Sequence, residues 1–103
     1  MLGLLKKIFG GSSVNYKELV SNGAVIIDVR SPGEYKAGHI NGSKNFPLES
    51  IRNKVNELKK LGKPVITVCR SGTRSGMAKG ILKSAGIEVY NGGAWISLKN
   101  KIA

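Results

Sequence analysis

A single cysteine, Cys69, lies where an apolar run ends and a short polar loop begins. It follows residues 65–68, and the residues after it, 70–75, read Arg-Ser-Gly-Thr-Arg-Ser before an apolar helical pattern starts. Loop amides, a helix N-terminus and the guanidinium groups of Arg70 and Arg74 all favour the ionised thiol. Because a thiolate is a nucleophile and the same amides can bind an anion, this stretch predicts attack on a small anionic substrate.

The low count of metal-binding side chains restricts what Cys69 can do. The chain has 103 residues, enough for one domain with one core, and it contains one Cys and one His. One Cys excludes an intramolecular disulfide and a resolving thiol within the chain, so any sulfur bound to Cys69 must leave through another molecule. One Cys and one His cannot fill a zinc site alone. We therefore expect no metal and no other cofactor.

The chain is strongly basic, with 17 Lys and Arg against 6 Asp and Glu and a formal net charge of +11. Such a charge attracts small oxyanions, acidic proteins, nucleic acids and phospholipid head groups. The lysines are scattered, and neither a nucleic-acid motif nor an aromatic platform accompanies them. We therefore expect a solvated basic surface that steers anions, with an acidic protein as a further candidate partner and no specific nucleic acid.

The first residues form a separate segment in the sequence. Residues 1–13 combine leucines, two lysines and a Gly-Gly-Ser-Ser stretch, which predicts a short leader joined flexibly to a domain of residues 14–103. The apolar stretch is too short for a transmembrane span or a signal sequence. Residues 1–11 could contact a membrane surface as a basic amphipathic segment, or could be a packed or frayed leader. The default expectation is a cytoplasmic monomer.

Short apolar runs alternate with helical patterns along the rest of the chain. Strands are predicted at residues 24–29, 44–46, 65–68 and 87–90. Helices are predicted after the capping residues Asn15 and Ser31, over residues 48–61, from the cysteine loop to Gly86, and from Trp95 onward. Residues 91–93, Asn-Gly-Gly, are predicted to form a turn.

This alternation indicates an α/β fold in three layers, with a mostly parallel central sheet and helices on both faces. Ligands of such sheets bind at the carboxyl ends of the strands. Cys69 follows its strand directly, so it is placed at that end of the sheet.

Several short motifs, in this order, resemble those of single-domain rhodaneses. The resemblance covers residues 14–98, and the cysteine loop is its most specific part. The motifs are Asp28-Val29-Arg30, Glu34-Tyr35, Gly38-His39-Ile40, the loop from Cys69 to Ser75, and Gly92-Gly93 before Trp95. The resemblance implies a rhodanese-like fold and the activity of a thiosulfate sulfurtransferase.

By that resemblance, Cys69 attacks the outer sulfur of thiosulfate or a related donor and becomes a persulfide, which passes its sulfur to cyanide or a thiol acceptor. The loop chemistry fits these steps, because Gly72 permits a backbone angle that keeps amides turned inward. Arg70 and Arg74 can bind sulfonate oxygens. Hydroxyl donors to the substrate are expected from Ser71, Thr73 and Ser75. Arg74 could instead pair with a nearby carboxylate, Arg70 could project into solvent, and Ser75 could stabilise the helix start.

Four charged or polar residues outside the loop receive structural interpretations. Asp28, Arg30 and Glu34 are expected to form salt bridges that fix the loop after the first strand, because sulfur transfer from a ready thiolate needs no strong general base. His39 is expected to lock a turn by hydrogen bonds. Trp95 is expected to cover the sheet.

Two other function classes use some of the same residue types. Cysteine phosphatases carry Cys-x5-Arg, whereas four residues separate Cys69 from Arg74, and Ser75 stands where the longer pattern needs arginine. This shorter loop favours sulfur over phosphate. A non-enzymatic rhodanese-like binding module, or a sulfur-relay subunit that uses the same Cys69 with a protein partner, remains as the alternative.

Overall fold

Four short strands form the centre of the fold in the computed structural model, which describes residues 14–103. They are β1 (Val25–Asp28), β2 (Lys44–Asn45), β3 (Val65–Cys69) and β4 (Val89–Ala94). All pair in parallel, in the order β2-β1-β3-β4. The leader predicted at residues 1–13 lies outside the described residues, and its boundary with the domain stays a prediction.

The helices connect these strands. They are α1 (Tyr16–Ser21), α2 (Pro32–Ala37), a 3₁₀ helix (Leu48–Lys54) that continues into α3 (Val55–Leu61), α4 (Thr73–Ser84) and α5 (Trp95–Ile102). None of those between residues 14 and 103 is long and apolar enough to cross a membrane.

The two faces of the sheet are covered by different helices. Ile27, Val65 and Cys69 pack on one face against the 3₁₀ helix, α3 and α4. Ile26, Ile66 and Val68 alternate with them and pack on the other face against α1 and α5. Alternate strand side chains point to opposite faces, so a strand buried on both faces is apolar throughout. The predicted three-layer α/β fold is confirmed, and the sheet of the described residues is entirely parallel.

Local capping signals begin two of the helices as predicted. The Asn15 side chain accepts a hydrogen bond from the Glu18 amide at 3.0 Å at the start of α1. At the start of α2, the hydroxyl of Ser31 accepts from the Glu34 amide, and the Glu34 carboxylate accepts from the Ser31 amide. This reciprocal capping fixes the position of Glu34 next to the carboxyl end of β1.

The helix predicted over residues 48–61 begins differently. Its first seven residues form a 3₁₀ helix, and only residues from Val55 onward are α-helical. The amide and the hydroxyl of Ser50 both donate to the Pro47 carbonyl at 2.8 Å. A bond from residue i+3 to residue i winds the chain more tightly than an α-helix, which explains the 3₁₀ start.

The prediction of a turn at residues 91–93 is wrong, because these residues lie inside β4. Thr67 pairs with Asn91 and Val68 pairs with Gly93, so Gly92 is an extra residue that forms a β-bulge. A Cβ at Gly92 would lie 2.8 Å from Ile66 Cγ2 and 3.0 Å from Val68 Cγ1. The glycine pair therefore marks a close approach of two strands, which the sequence pattern does not distinguish from a turn.

Gly92→Ala is expected to lower the free energy of unfolding by about 1–3 kcal/mol, because the added methyl group overpacks the contact between β3 and β4. Gly80→Ala is the matched control, since a Cβ at Gly80 meets nothing within 4 Å in the middle of α4. That change is expected to raise stability by up to about 1 kcal/mol. Urea unfolding of both variants checks the pair, and equal effects would contradict the bulge assignment.

Candidate active site

Cys69 is the last residue of β3, and α4 begins four residues later at Thr73. The loop between them turns through Gly72, which has a φ of +104°. Only glycine adopts this conformation readily, and a Cβ there would also lie 3.4 Å from the Gly93 Cα. The resulting backbone directs the first amides of α4 back toward the end of β3.

The Cys69 sulfur is enclosed by this loop. The residue is 0% exposed. The Gly72 amide donates to Sγ at 3.0 Å and the Ser75 amide at 3.4 Å. The Ser75 hydroxyl also lies 3.4 Å from Sγ. The sulfur therefore occupies a pocket of hydrogen-bond donors of the kind that stabilises negative charge.

The environment of Cys69 acts on its pKa in opposite directions. Burial raises the pKa, whereas the hydroxyl and amide of Ser75 and the amide of Gly72 lower it, and the net shift is downward. A lower pKa increases the fraction of thiolate near neutral pH, and the thiolate is the reactive form. The surroundings of Cys69 therefore favour the thiolate form over the neutral thiol.

The other predicted loop residues divide into exposed and engaged groups. Arg70, Ser71 and Thr73 are exposed. Ser75 is buried and contacts the cysteine sulfur. Arg74 is engaged elsewhere, because its guanidinium donates to both carboxylate oxygens of Glu34 at 2.7 and 3.0 Å. The structure thus contains the carboxylate pairing of Arg74 that was the alternative to substrate binding.

The Glu34–Arg74 pair joins α2 to the start of α4. Hydrogen bonds from Arg74 and then from Ser31 lower the pKa of Glu34 to about 2. Both side chains are about one-third exposed, at 32% for Glu34 and 36% for Arg74, so solvent screens the interaction. The pair helps to fix the position of α4, the helix that follows the cysteine loop. It also neutralises part of the positive charge of Arg74.

Glu34→Gln is expected to lower the free energy of unfolding by no more than about 1 kcal/mol at neutral pH. Because folding lowers the pKa of Glu34, the stabilisation is present above its ordinary value of 4.5 and is lost as the pH falls toward about 2. The stabilities of the wild-type protein and the variant should therefore become equal as the pH falls. Thermal unfolding of both proteins at several pH values measures this. Glu57→Gln, which removes an exposed partner 3.9 Å from Lys54, is the control and should change little at any pH.

Asp28 and Arg30 form a second ion pair, which is buried beside the site. Arg30 is 4% exposed, and its side chain donates to both Asp28 oxygens at 2.7 to 3.0 Å. The same guanidinium donates to the Gly38 carbonyl at 2.7 Å and lies 4.6 Å from the centre of the Trp95 ring. The pair holds the segment after β1 against the start of α5.

His39 and Trp95 have packing roles in the described contacts. Nδ1 of His39 lies 2.7 Å from the Tyr35 carbonyl oxygen, and the two rings stack with centroids 3.8 Å apart. The Trp95 ring packs over Gly38, where an added Cβ would lie 3.2 Å from it. The contact between His39 and the Tyr35 carbonyl fits the turn-locking role expected for His39, which stays a prediction.

Asn91 is a site residue that the sequence analysis missed. Its side chain donates to the Gly72 carbonyl at 3.1 Å and accepts from the Ser75 hydroxyl at 2.6 Å and from the Gly93 amide at 2.9 Å. An Asn that bonds the amide two residues later is a common local motif. The sequence offers this signal, but it does not show that the strand of Asn91 lies beside the cysteine loop.

The arrangement supports nucleophilic attack by sulfur. Within residues 14–103, no group of three or more His, Cys, Asp or Glu side chains could hold a metal ion. The first amides of a helix have no intrahelical acceptor, and here they surround the end of a strand. They can hold a negatively charged atom that is bonded to Sγ or is approaching it.

Comparison with known proteins gives a consistent result over most of the chain. The family model described as "Rhodanese-like domain" matches residues 13–94. The chain is 42% identical over 69 residues to the uncharacterized protein YqhL of Bacillus subtilis, an alignment that covers 66% of this chain and 54% of YqhL. It is 37% identical over 76 residues to the thiosulfate sulfurtransferase GlpE of Ectopseudomonas mendocina, covering 73% of this chain and 69% of GlpE.

A solved structure gives the same result for the fold. The rhodanese with anions from E. coli superposes with a TM-score of 0.66 at 32% identity. The superposition covers 72% of this chain and 89% of that protein. The likeness therefore extends over nearly the whole of that structure.

Proposed function

The chain belongs to the rhodanese-like family, and we propose that it is a sulfurtransferase whose Cys69 carries sulfane sulfur as a persulfide. Relatives such as the GlpE sulfurtransferase support sulfurtransferase activity in general. The observation that carries the proposal is the enclosed Cys69 sulfur, which accepts hydrogen bonds from the amides of Gly72 and Ser75. These donors fit a thiolate and also the terminal sulfur of a persulfide.

The proposed first step loads the cysteine. The Cys69 thiolate attacks the outer sulfur of thiosulfate and forms a new sulfur–sulfur bond. The bond between the outer sulfur and the sulfonate sulfur breaks, and its electron pair leaves with sulfite. The product is a Cys69 persulfide with one negative charge on its terminal sulfur, so the step needs no added oxidant or reductant.

The proposed second step unloads the cysteine. Cyanide or an external thiolate attacks the terminal sulfur, and the bond to Sγ breaks with its electron pair returning to Cys69. The products are thiocyanate or an acceptor persulfide together with the regenerated thiolate. The chain contains one cysteine, so the acceptor is a separate molecule.

Arg70 is our proposed contact for the sulfonate group of the donor. It is exposed and follows Cys69 directly, whereas the guanidinium of Arg74 is paired with Glu34. Ser71 and Thr73 are exposed in the same loop and can donate hydroxyl hydrogens to the donor. The excess of basic residues favours the approach of an anionic donor.

The loop argues against phosphate as the substrate. The residue six positions after Cys69 is Ser75, which is buried and contacts the sulfur with its own amide and hydroxyl. An arginine that clamps a phosphate would have to stand there.

The test is to load the purified protein with thiosulfate and measure its intact mass. We expect a gain of one sulfur atom on Cys69, formation of thiocyanate when cyanide is added, and return to the original mass. A folded protein that gains no sulfur and forms no thiocyanate would refute the proposal. Hydrolysis of an aryl phosphate that depends on Cys69 would favour the phosphatase instead.

A further inference from the structure

The carboxamide of Asn91 connects β4 to both groups that contact the Cys69 sulfur. Its Nδ2 donates to the Gly72 carbonyl, and its Oδ1 accepts from the Ser75 hydroxyl. Its own backbone carbonyl accepts a hydrogen bond from the Tyr16 hydroxyl at 3.0 Å. One side chain therefore reaches two residues of the cysteine loop from a strand that is itself held by α1.

The bulge in β4 creates this connection. Gly92 is the extra residue, and the Gly93 amide after it donates to Asn91 Oδ1. A Cβ at Gly76 would lie 3.2 Å from Asn91 Nδ2, so a glycine on α4 is what lets the helix approach this side chain. The proximity of Asn91 to the loop therefore depends on the bulge in β4 and on the absence of a side chain at Gly76 of α4.

The Ser75 hydroxyl has one hydrogen and two neighbours that can accept it. Its oxygen lies 2.6 Å from Asn91 Oδ1 and 3.4 Å from Cys69 Sγ, so the hydrogen points to Asn91 in this geometry. When the thiol ionises, the hydroxyl can rotate toward the charged sulfur, because hydrogen bonds to an ionised acceptor are stronger. Asn91 Oδ1 then still accepts from the Gly93 amide, so the rotation leaves no buried acceptor without a partner.

We infer that Asn91 is a positioning residue for the Cys69 thiolate. It holds the Gly72 carbonyl and the Ser75 hydroxyl, and it thereby keeps the Gly72 amide and the first turn of α4 directed at the sulfur. Gly72 needs such an anchor because glycine restricts its own backbone least. The inference deepens the proposed function, since it concerns the same thiolate.

The test measures how fast iodoacetamide alkylates Cys69 across a pH series in Asn91→Asp. This change keeps the size of the side chain, places a carboxylate oxygen against the Gly72 carbonyl, and adds a negative charge two hydrogen bonds from the sulfur. We expect about tenfold slower alkylation at about pH 6, and an unchanged rate at high pH where every thiol is ionised. Asn53→Asp adds the same charge at an exposed position and should match the wild-type profile.

Several outcomes would overturn the inference. An alkylation profile of Asn91→Asp equal to that of the wild type would do so. A rate that falls by the same factor at all pH values would also do so, because it indicates a change in the access of iodoacetamide to Cys69. If the variant does not fold, Asn91→Ala should shift the profile in the same direction by a smaller factor. In the wild-type protein, an Asn91 side-chain amide resonance that stays constant while Cys69 titrates would also overturn it.

The alkylation test requires no sulfur donor. A shifted profile in a protein that gains no sulfur from thiosulfate would refute the proposed function and leave the inference standing. A wild-type profile in a protein that does form the persulfide would refute the inference alone. The proposed function and the inference about Asn91 can therefore be refuted independently of each other.

Discussion

Replacing Cys69 by serine is expected to abolish persulfide formation and to lower the rate of thiocyanate production at least about a thousandfold. A serine hydroxyl is not ionised near neutral pH and cannot form a sulfur–sulfur bond. Its oxygen can still accept the hydrogen bond from the Gly72 amide, so the loop geometry should persist. The loss should therefore be chemical and not a result of unfolding.

Intact mass after thiosulfate treatment and a thiocyanate assay measure this loss, with thermal unfolding as the check of the fold. Ser84→Ala is the control, because Ser84 is exposed at the opposite end of α4 from the loop and should keep full activity. Sulfur transfer retained in Cys69→Ser would assign the chemistry to another nucleophile. A serine variant that unfolds would be replaced by Cys69→Ala in the same assays.

Arg30→Met is expected to produce the largest loss of stability, about 3–5 kcal/mol. The change removes the cation that donates to both oxygens of Asp28, a residue that is 0% exposed. An uncompensated buried carboxylate is costly, because few groups remain to replace its hydration. Domains of this size are stable by about 5–15 kcal/mol, so the loss is a large part of the total.

Urea unfolding followed by circular dichroism measures this effect. Fluorescence of Trp95 is a poorer probe, since the Arg30 guanidinium lies over its ring. The exposed Arg52→Met is the control and should change stability by less than about 0.5 kcal/mol. In the double variant with Asp28→Asn, the two losses should not add, because the second change removes the charge that the first one leaves unpaired. Additive losses would contradict a direct pairing.

The two ion pairs and the cysteine loop form one connected support at the carboxyl end of the sheet. Arg30 holds the segment after β1 through Asp28 and the Gly38 carbonyl. Glu34, on the helix within that segment, holds Arg74 at the start of α4. The loop that carries Cys69 is therefore braced from β1 on one side and from Asn91 of β4 on the other. We expect substitutions in the two ion pairs or at Asn91 to alter the reactivity of the Cys69 thiol, although these residues are not proposed to contact the sulfur donor.

Local signals in the sequence were sufficient where neighbours in the chain determine the structure. Ser31, Pro32 and Glu34 begin α2 as predicted, because a capping box involves only residues within one turn. Unbroken apolar runs identified β1 and β3, since strands buried on both faces cannot contain many polar side chains. The Gly-Gly pair is compatible with either a turn or a bulge, because glycine is common in both, and only the pairing register separates them.

The sequence by itself determined the α/β fold, the placement of Cys69 at the end of a strand, and the loop of amides and hydroxyls that follows it, because these depend on periodicity and on residues near one another in the chain. Only the tertiary structure decided that Arg74 pairs with Glu34, 40 positions earlier, and that Asn91 reaches the loop from β4. Those contacts depend on which strands lie side by side in the sheet. Strand order is set by the packing of the whole domain, and a local pattern of residues does not record it.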